Sequence, residues 1–350
     1  MKTVRVGIIG TGGIANGRHI REYLQCKDAE IVALCDIDAE ALKRSAKSAG
    51  VSDEKCYTDY RDLIADPDVD AVDICTPNCL HAEMARAALA AGKPICLEKP
   101  VAMNYAEAQS ITDAEKNSTA FGMTCFTYRF MPAARYAKAL MKENVIGDIV
   151  GLNVAYLKNS GYWEDRRLEW RFRKEMAGSG VIGDLGVHLV DLAQLLAGDI
   201  KELCATKAIV VKERKTLDGS SIQKVTTDDS CSFLARFACG AEGSFHITRC
   251  AIGHQNTIRY DVYGSKGSIS FDLTDPANIM ICTGEGDPRT YTTEKIKVPS
   301  EYYLSQAQGF INAIAGDRDF IFPTLSDGAQ SQRVIDAILE SSDNRCWVKV

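Results

Sequence analysis

The chain has 350 residues, of which 46% are hydrophobic and 25% charged, enough for a large core and for two domains. A formal net charge of −6 argues against nucleic acid or an anionic membrane surface as the main partner. No apolar run reads as long enough to span a bilayer, and the N-terminus enters a strand at once, so neither a membrane anchor nor a signal peptide is expected. Thirteen scattered cysteines, several within apolar runs (Cys35, Cys75, Cys96), suit free thiols in a reducing, cytoplasmic setting.

The apolar run Val4–Ile9 leads straight into Gly10-Thr-Gly12-Gly13-Ile14-Ala15. A helical segment follows, with Ile14, Ile20, Tyr23 and Leu24 as its apolar face. Strand, glycine turn and helix in that order open a dinucleotide-binding βαβ unit. Gly10 allows the tight turn, Gly12 lets the backbone approach a pyrophosphate, and Ala15 lets the helix sit close on the strand. The helix N-terminus would meet the phosphates with unpaired N–H groups. Alone, such a turn is an ordinary strand-to-helix connection. A second run, Glu30–Cys35, ends in Asp36, about 20 residues beyond the glycines, where a ribose-binding carboxylate belongs. Asp36 would repel a 2′-phosphate and Ile37-Asp38 offers no arginine, so NAD is expected over NADP.

The first third continues by alternation. Helices are expected at Ala39–Ala49, Tyr60–Ala65, Leu80–Ala91 and Tyr105–Lys116, with strands at Lys55–Thr58, Val69–Cys75, Pro94–Leu97 and Ala120–Phe126. This is a doubly wound parallel α/β sheet, in which ligands gather at the carboxyl ends of the strands. The glycine turn, Asp36, Thr76-Pro77-Asn78 and Glu98-Lys99-Pro100 all fall at those ends. Thr76-Pro77-Asn78 also reads as a plain turn. Lys99 stands between a carboxylate and a proline after an apolar strand, which favours a functional role over a solvated surface charge. The cluster Cys75-x-x-x-Cys79-x-His81 lacks a second ligand pair at zinc spacing, and no metal is expected.

After Tyr128-Arg129-Phe130 the pattern changes. A helix, Ala133–Asn144, and a strand, Ile149–Leu157, precede a polar, aromatic loop with Trp163, Trp170 and Arg171. Then Asp184, His188 and Asp191 fall at i, i+4 and i+7 on a helix that is apolar almost all round. A polar stripe on a buried helix must find partners or face a cavity. Three readings stand: a catalytic histidine oriented by Asp184, a core histidine satisfied by that carboxylate, or a metal site. The remainder is mainly β, with strands at 201–212, 229–237, 243–250, 257–263 and 267–273, two helices at 305–314 and 327–341, and a final strand at 347–350. The alternation of these strands leaves one face of a large, mostly antiparallel sheet open or paired with another subunit. The expected division is 1–123, a Rossmann dinucleotide-binding domain, and 124–350, an α+β domain for substrate binding and oligomerisation.

Together these residues resemble the glucose–fructose oxidoreductase / inositol dehydrogenase / rhizopine-catabolism family of nicotinamide-dependent oxidoreductases. The likeness covers the glycine turn, Thr76-Pro77-Asn78 with His81, Glu98-Lys99-Pro100, Tyr128-Arg129-Phe130, Trp170-Arg171, the Asp184/His188 helix and the closing Trp-Val-Lys-Val. Ala15 in place of a third glycine and Ser179 where glycine is common are small departures. The resemblance implies proton transfer by Lys99 and His188, with Asp184 assisting and contacting substrate. It implies NAD held by Gly10, Gly12, Gly13, Ile14, Asp36, Thr76, Pro77, Asn78, His81, Glu98, Lys99, Trp170 and Arg171. A sugar, cyclitol or glycoside would be lined by Lys99, Tyr128, Arg129, Trp163, Asp184 and His188, and the protein would be a homodimer or homotetramer. Two alternatives remain: glycoside processing or sugar–sugar redox with retained NAD, and a non-catalytic dinucleotide sensor, against which Lys99 and His188 both argue.

Overall fold

The computed structural model describes residues 3–319 and 321–350. The chain divides into two compact units, Met1–Phe126 with Leu304–Gln330, and Thr127–Tyr303 with Ser331–Val350. A sequence reading that breaks the chain at 123/124 gives Leu304–Gln330 to the second domain, whereas that segment packs with the first.

In the first unit six parallel strands form one sheet: β1 (Val4–Ile9), β2 (Ala29–Cys35), β3 (Cys56–Tyr57), β4 (Ala71–Ile74), β5 (Ile95–Leu97) and β6 (Gly122–Thr124). Their order is β3-β2-β1-β4-β5-β6, so the winding reverses between β1 and β4. A doubly wound sheet places its ligand crevice at such a reversal. The helices are α1 (Ile20–Tyr23), α2 (Ala39–Ala49), α3 (Tyr60–Ala65), α4 (Asn78–Ala90) and α5 (Tyr105–Lys116). Three start where a side chain caps them. Asp38 accepts from the N–H groups of Glu40 and Ala41, Asp59 from that of Arg61, and Asn104 from that of Glu107. Ile74, Leu89, Leu97 and Ile111 form the core between sheet and helices, joined by Leu325 and Ala329 from the returning segment. Each such buried aliphatic side chain contributes roughly 1.5–3 kcal/mol.

α1 differs from expectation. A π-turn, Ala15–His19, precedes it, and it ends at Tyr23. Ile20 and Tyr23 are buried, but Leu24 falls past the helix end and is 57% exposed, so it does not belong to the apolar face.

The second unit holds helix α6 (Pro132–Lys142) and a nine-stranded mixed sheet. Its strands in chain order begin with β7 (Ile149–Leu157), followed after α7 (Lys174–Ala177) and α8 (Val187–Ala197) by β8 (Ile200–Ala208). A separate hairpin, β9 (Glu213–Lys215) and β10 (Ile222–Lys224), interrupts the series. The sheet resumes with β11 (Ser230–Phe237), β12 (Glu242–Thr248), β13 (Thr257–Gly264), β14 (Gly267–Asp272), β15 (Asn278–Thr283), β16 (Thr292–Lys297) and the closing β17 (Val348–Lys349). All pairings are antiparallel except β7 with β12. Helices α9 (Gln306–Ile314) and α10 (Leu325–Asn344) complete the chain.

The sequence reading lacks β9, β10, β15 and β16. β16 reads Thr-Thr-Glu-Lys-Ile-Lys and is exposed at five of six positions, a charged edge strand without an apolar alternation to announce it. β8 stops at Ala208, four residues short of the expected Lys212, because the Asp229 carboxylate takes the N–H groups of Val210 and Val211. One further expectation is corrected. By length and composition the stretch Lys174–Ala197 is apolar enough to cross a membrane, although 83% of its most apolar window is buried within the fold, as in a core helix.

Candidate functional site

In the first unit the glycine turn carries the features a dinucleotide needs. Gly10 has φ +89°, and a Cβ there would lie 2.8 Å from the Cys75 carbonyl, so only glycine fits. A Cβ on Gly12 or Gly13 would meet nothing within 4 Å, which leaves the turn open for a pyrophosphate. Asn16 braces the turn, donating to the Thr11 carbonyl (2.6 Å), while Ser45 donates to Asn16 (3.0 Å). Asp36 stands at the end of β2. Its Oδ2 accepts the Thr11 N–H (2.6 Å) and hydroxyl (2.9 Å), and its Oδ1 the Asp38 N–H (2.9 Å). A carboxylate offers about four acceptor positions, so Asp36 is fixed in place and keeps capacity for a ribose hydroxyl. These residues fit NAD.

Thr76-Pro77-Asn78 follows β4 and enters α4, and Glu98-Lys99-Pro100 follows β5. His81, expected at the cofactor, is fully buried instead. Its Nδ1 lies 2.8 Å from the Pro100 carbonyl and its Nε2 2.9 Å from that of Thr76, so the ring sits between these two strand ends and, when neutral, donates to one of the two carbonyls. Burial holds His81 below its ordinary value. Glu98 is buried as well, accepts the Lys99 N–H (3.0 Å) and lies 3.0 Å from Nε2 of the His19 ring. The other His19 nitrogen meets Asp73 at 2.8 Å. His19, Asp73 and Cys125 bring ligand atoms within 4.8 Å of one another. These spacings are nevertheless hydrogen-bond distances, and the Cys125 sulfur is 3.2 Å from that of Cys96. All thirteen cysteines are free thiols.

In the second unit a π-turn, Ile182–Gly186, carries Asp184 and leads directly into α8 with His188 and Asp191. The three do not share one environment. Asp191 is buried and accepts from the Arg129 guanidinium (Nε to Oδ2 2.8 Å). Arg129, expected to line the substrate pocket, is itself only 4% exposed and is committed to this ion pair, as a buried charge requires. His188 is buried with its ring 4.4 Å from that of Tyr128, whose hydroxyl lies 2.7 Å from that of Tyr156. The buried Tyr260 hydroxyl donates to the Leu189 carbonyl (3.1 Å), pinning the first turn of α8.

Asp184 is partly exposed between two arginines, Arg249 (3.9 Å) and Arg171 (4.0 Å). Arg171 stacks on Trp170 at 4.3 Å. Arg249 is almost fully buried and shares the Phe172 ring with Arg166 and Arg214, at 5.1, 4.9 and 4.3 Å. Asp228 anchors the turn from behind, accepting the N–H groups of Gly180 (2.8 Å) and Ile182 (2.9 Å). A Cβ on Gly180 would lie 1.9 Å from the Asp228 carbonyl oxygen, so the approach requires glycine. Burial pushes the Asp228 carboxyl up, against the pull of those N–H bonds. Trp163 stands further out, 53% exposed, with its Nε1–H on Asn159 (3.2 Å). Sequence reasoning missed His19, Asp73, Asp228 and Arg249. Asp73 carried a signal: a lone carboxylate in the buried strand Ala-Val-Asp-Ile needs a partner.

Comparison with known proteins agrees with both units. Residues 4–124 match the profile described as oxidoreductase family, NAD-binding Rossmann fold, and residues 134–270 that of the GFO/IDH/MocA C-terminal domain. The levoglucosan dehydrogenase of Pseudarthrobacter phenanthrenivorans is 33% identical, across 100% of this chain and 99% of its own. The myo-inositol 2-dehydrogenase of Thermotoga maritima is 26% identical, across 89% of this chain and 88% of its own. A solved levoglucosan dehydrogenase in complex with NADH superposes with a TM-score of 0.92 at 30% identity, covering 100% of this chain and 99% of that one. The chain belongs to the GFO/IDH/MocA family of NAD-dependent oxidoreductases.

Proposed function

We propose that the protein oxidises a ring hydroxyl of a sugar, cyclitol or glycoside. The observation that carries this reading is the start of α8. An imidazole backed by the Tyr128 ring follows, by one turn, a carboxylate flanked by two arginines, all on a helix otherwise apolar. Aromatic faces suit the C–H face of a sugar ring, and an ionised carboxylate suits its hydroxyls. His188 takes the hydroxyl proton, Asp184 binds a neighbouring hydroxyl, and Lys99 stabilises the developing alkoxide. NAD, when bound, supplies the hydride acceptor, and Gly10, Gly12, Gly13, Asp36 and the strand ends Thr76–Asn78 and Glu98–Lys99 hold it. The relatives' names support pyranoses and cyclitols as the class, with levoglucosan first to try. Absorbance of reduced nicotinamide, followed across levoglucosan, myo-inositol, common pyranoses and glycosides, tests the reading. No reduction of NAD by any of them overturns it.

The same reading includes a cytoplasmic enzyme that self-associates through the open face of the large sheet. Thirteen free thiols support the first part. For the second, the register aligns Leu234, Ser244, Asn153, Asp261, Ser270 and Met280 in one row across six strands. Leu234 and Met280 are 55% and 39% exposed, apolar positions that a second copy would cover. Light scattering should report a dimer or tetramer at micromolar concentration, and Leu234→Lys should shift it toward monomer. A wild-type monomer removes this part of the proposal.

A further inference from the structure

We infer that His19 is a positioning residue for Lys99: clamped as an imidazolium between Asp73 and Glu98, it fixes the carboxylate that accepts the Lys99 backbone N–H. This rests on the reading of Lys99 as a proton-transfer group.

The argument begins with acceptor chemistry. His19 is 2% exposed, and each of its ring nitrogens faces a carboxylate oxygen, Asp73 at 2.8 Å and Glu98 at 3.0 Å. A neutral imidazole has one N–H to give, and ionised carboxylates only accept, so a ring bonded to both carries both protons. Two buried carboxylates 2.8 and 3.0 Å from one ring are tolerable only with a cation between them. The other titratable groups around the ring come from every neighbouring element: Tyr23 on α1, Cys75 after β4, Cys96 on β5 and Cys125 after β6. Burial pushes Cys75, Cys96 and Cys125 upward, which keeps these thiols neutral and leaves the two carboxylates as the only anions in the cluster among the described residues. Burial works against a charge on His19 itself, and the Asp73 carboxylate outweighs that, leaving the ring well above its ordinary value.

The clamp bears on Lys99 through the chain. Glu98 precedes Lys99 and takes its N–H. On the other side, the Pro100 carbonyl lies 2.8 Å from the His81 ring. Each residue flanking Lys99 therefore meets a buried histidine, one from the helix that begins at the glycine turn and one from α4. The π-turn Ala15–His19 makes the first anchor possible. Such a turn admits one extra residue and redirects the side chains after it, and π-turns recur at functional sites. In this chain it turns His19 toward β4 and β5.

The tests separate protonation, positioning and the reading beneath them. Histidine 15N labelling of the wild-type protein, with His19→Gln for assignment, reads the ring directly. The His19 nitrogens should both carry protons at pH 8, and a singly protonated ring at that pH overturns the inference. Amide hydrogen exchange at Lys99 needs no substrate. It should quicken at least about tenfold in His19→Gln and in Glu98→Gln, while β1 amides hold their protection. Unchanged exchange at Lys99 in folded variants also overturns it. Should His19→Gln fail to fold, Glu98→Gln, which keeps the side-chain shape, carries the exchange test, and the wild-type spectrum carries the protonation test. With levoglucosan and NAD, kcat should fall about tenfold or more in His19→Gln with the KM for NAD within about threefold. A Lys99→Met variant measured beside it isolates the premise. Full turnover by Lys99→Met sinks the assignment of Lys99, and the spectrum and exchange data still decide whether His19 holds that backbone.

Discussion

Two helices of this protein open with a π-turn, and the two turns are used in opposite ways. The first, Ala15–His19, delivers its histidine into a closed network in which both ring nitrogens are bonded and every partner is buried. The second, Ile182–Gly186, presents Asp184 partly exposed, with its nearest arginines at 3.9 and 4.0 Å, longer than hydrogen bonds. A saturated network sets geometry. A carboxylate that is partly exposed and flanked by two arginines faces solvent and charge together. The same backbone device thus delivers a buried side chain in one unit and a partly exposed one in the other, and burial separates the two.

The largest effects should come from the groups placed in proton transfer. His188→Ala and Lys99→Met should each lower kcat by on the order of 10²–10⁴ with the fold intact. Retention of more than about a tenth of wild-type turnover at saturating substrate would remove that residue from the chemistry. Asp184→Asn should act mainly on sugar KM if its lone pairs bind a hydroxyl. An equal loss in His188 protonation behaviour, read from the pH profile of kcat/KM, would assign it instead to orienting the ring.

Cofactor choice follows in size. Asp36 is already fixed by Thr11 and Asp38, so it meets an incoming 2′-phosphate as a rigid anion. NAD should exceed NADP in kcat/KM by about a hundredfold or more, and Asp36→Ser with Ile37→Arg should narrow the gap, since Ile37 is 91% exposed and free to be replaced. Equal efficiency with both cofactors in the wild type would break this account.

The closed network predicts a stability effect with a definite pH sign. His19 is raised above its ordinary value of 6.5, so the stability it supplies is complete below that pH and fades as pH rises through the higher folded value. The difference in urea midpoint between wild type and His19→Gln should therefore shrink on moving from neutral into alkaline solution. A difference that grows with pH contradicts an imidazolium. Asp228→Ala, in the other unit, leaves two buried N–H groups without acceptors and should cost about 2–4 kcal/mol, seen as an earlier denaturant midpoint.

What could be read from the sequence follows the same division between apolar pattern and buried charge. The doubly wound half was legible because parallel buried strands are apolar runs and their ligand ends are marked by glycine, proline and lone charges. α2 and α5 even fall at the expected bounds, helped by Asp38 and Asn104 as caps. β15 and β16 were not legible, since polar edge strands carry little periodic signal. Of the site, Lys99, Asp36, Asp184 and His188 announced themselves as polar residues at strand ends or on an apolar helix. Their supports did not. Asp228 and Arg249 act across sequence gaps of 48 and 65 residues, beyond the reach of local pattern, and Arg129 was read as lining the substrate when it is paired with Asp191.

The smallest expected effect concerns the loop outside the polar stripe. Trp163 is half exposed and held through Asn159 and the edge of Arg166, whose guanidinium lies 5.9 Å from the ring. Removing it should cost little stability, because little of its surface leaves water on folding. If the ring covers bound sugar, Trp163→Ala loses an aromatic contact of about 0.5–1.5 kcal/mol, or about two- to tenfold in sugar KM, with the KM for NAD unchanged. The alternative is a loop that packs on a neighbouring copy. Then kinetics stay as in the wild type and light scattering reports a smaller particle. Arg166 offers an internal control, since its guanidinium also lies over the buried Phe172 ring at 4.9 Å and donates to the Ser160 carbonyl at 3.2 Å. Arg166→Ala should loosen the whole loop and lower the melting temperature, whereas Trp163→Ala changes only what the tip of the loop touches.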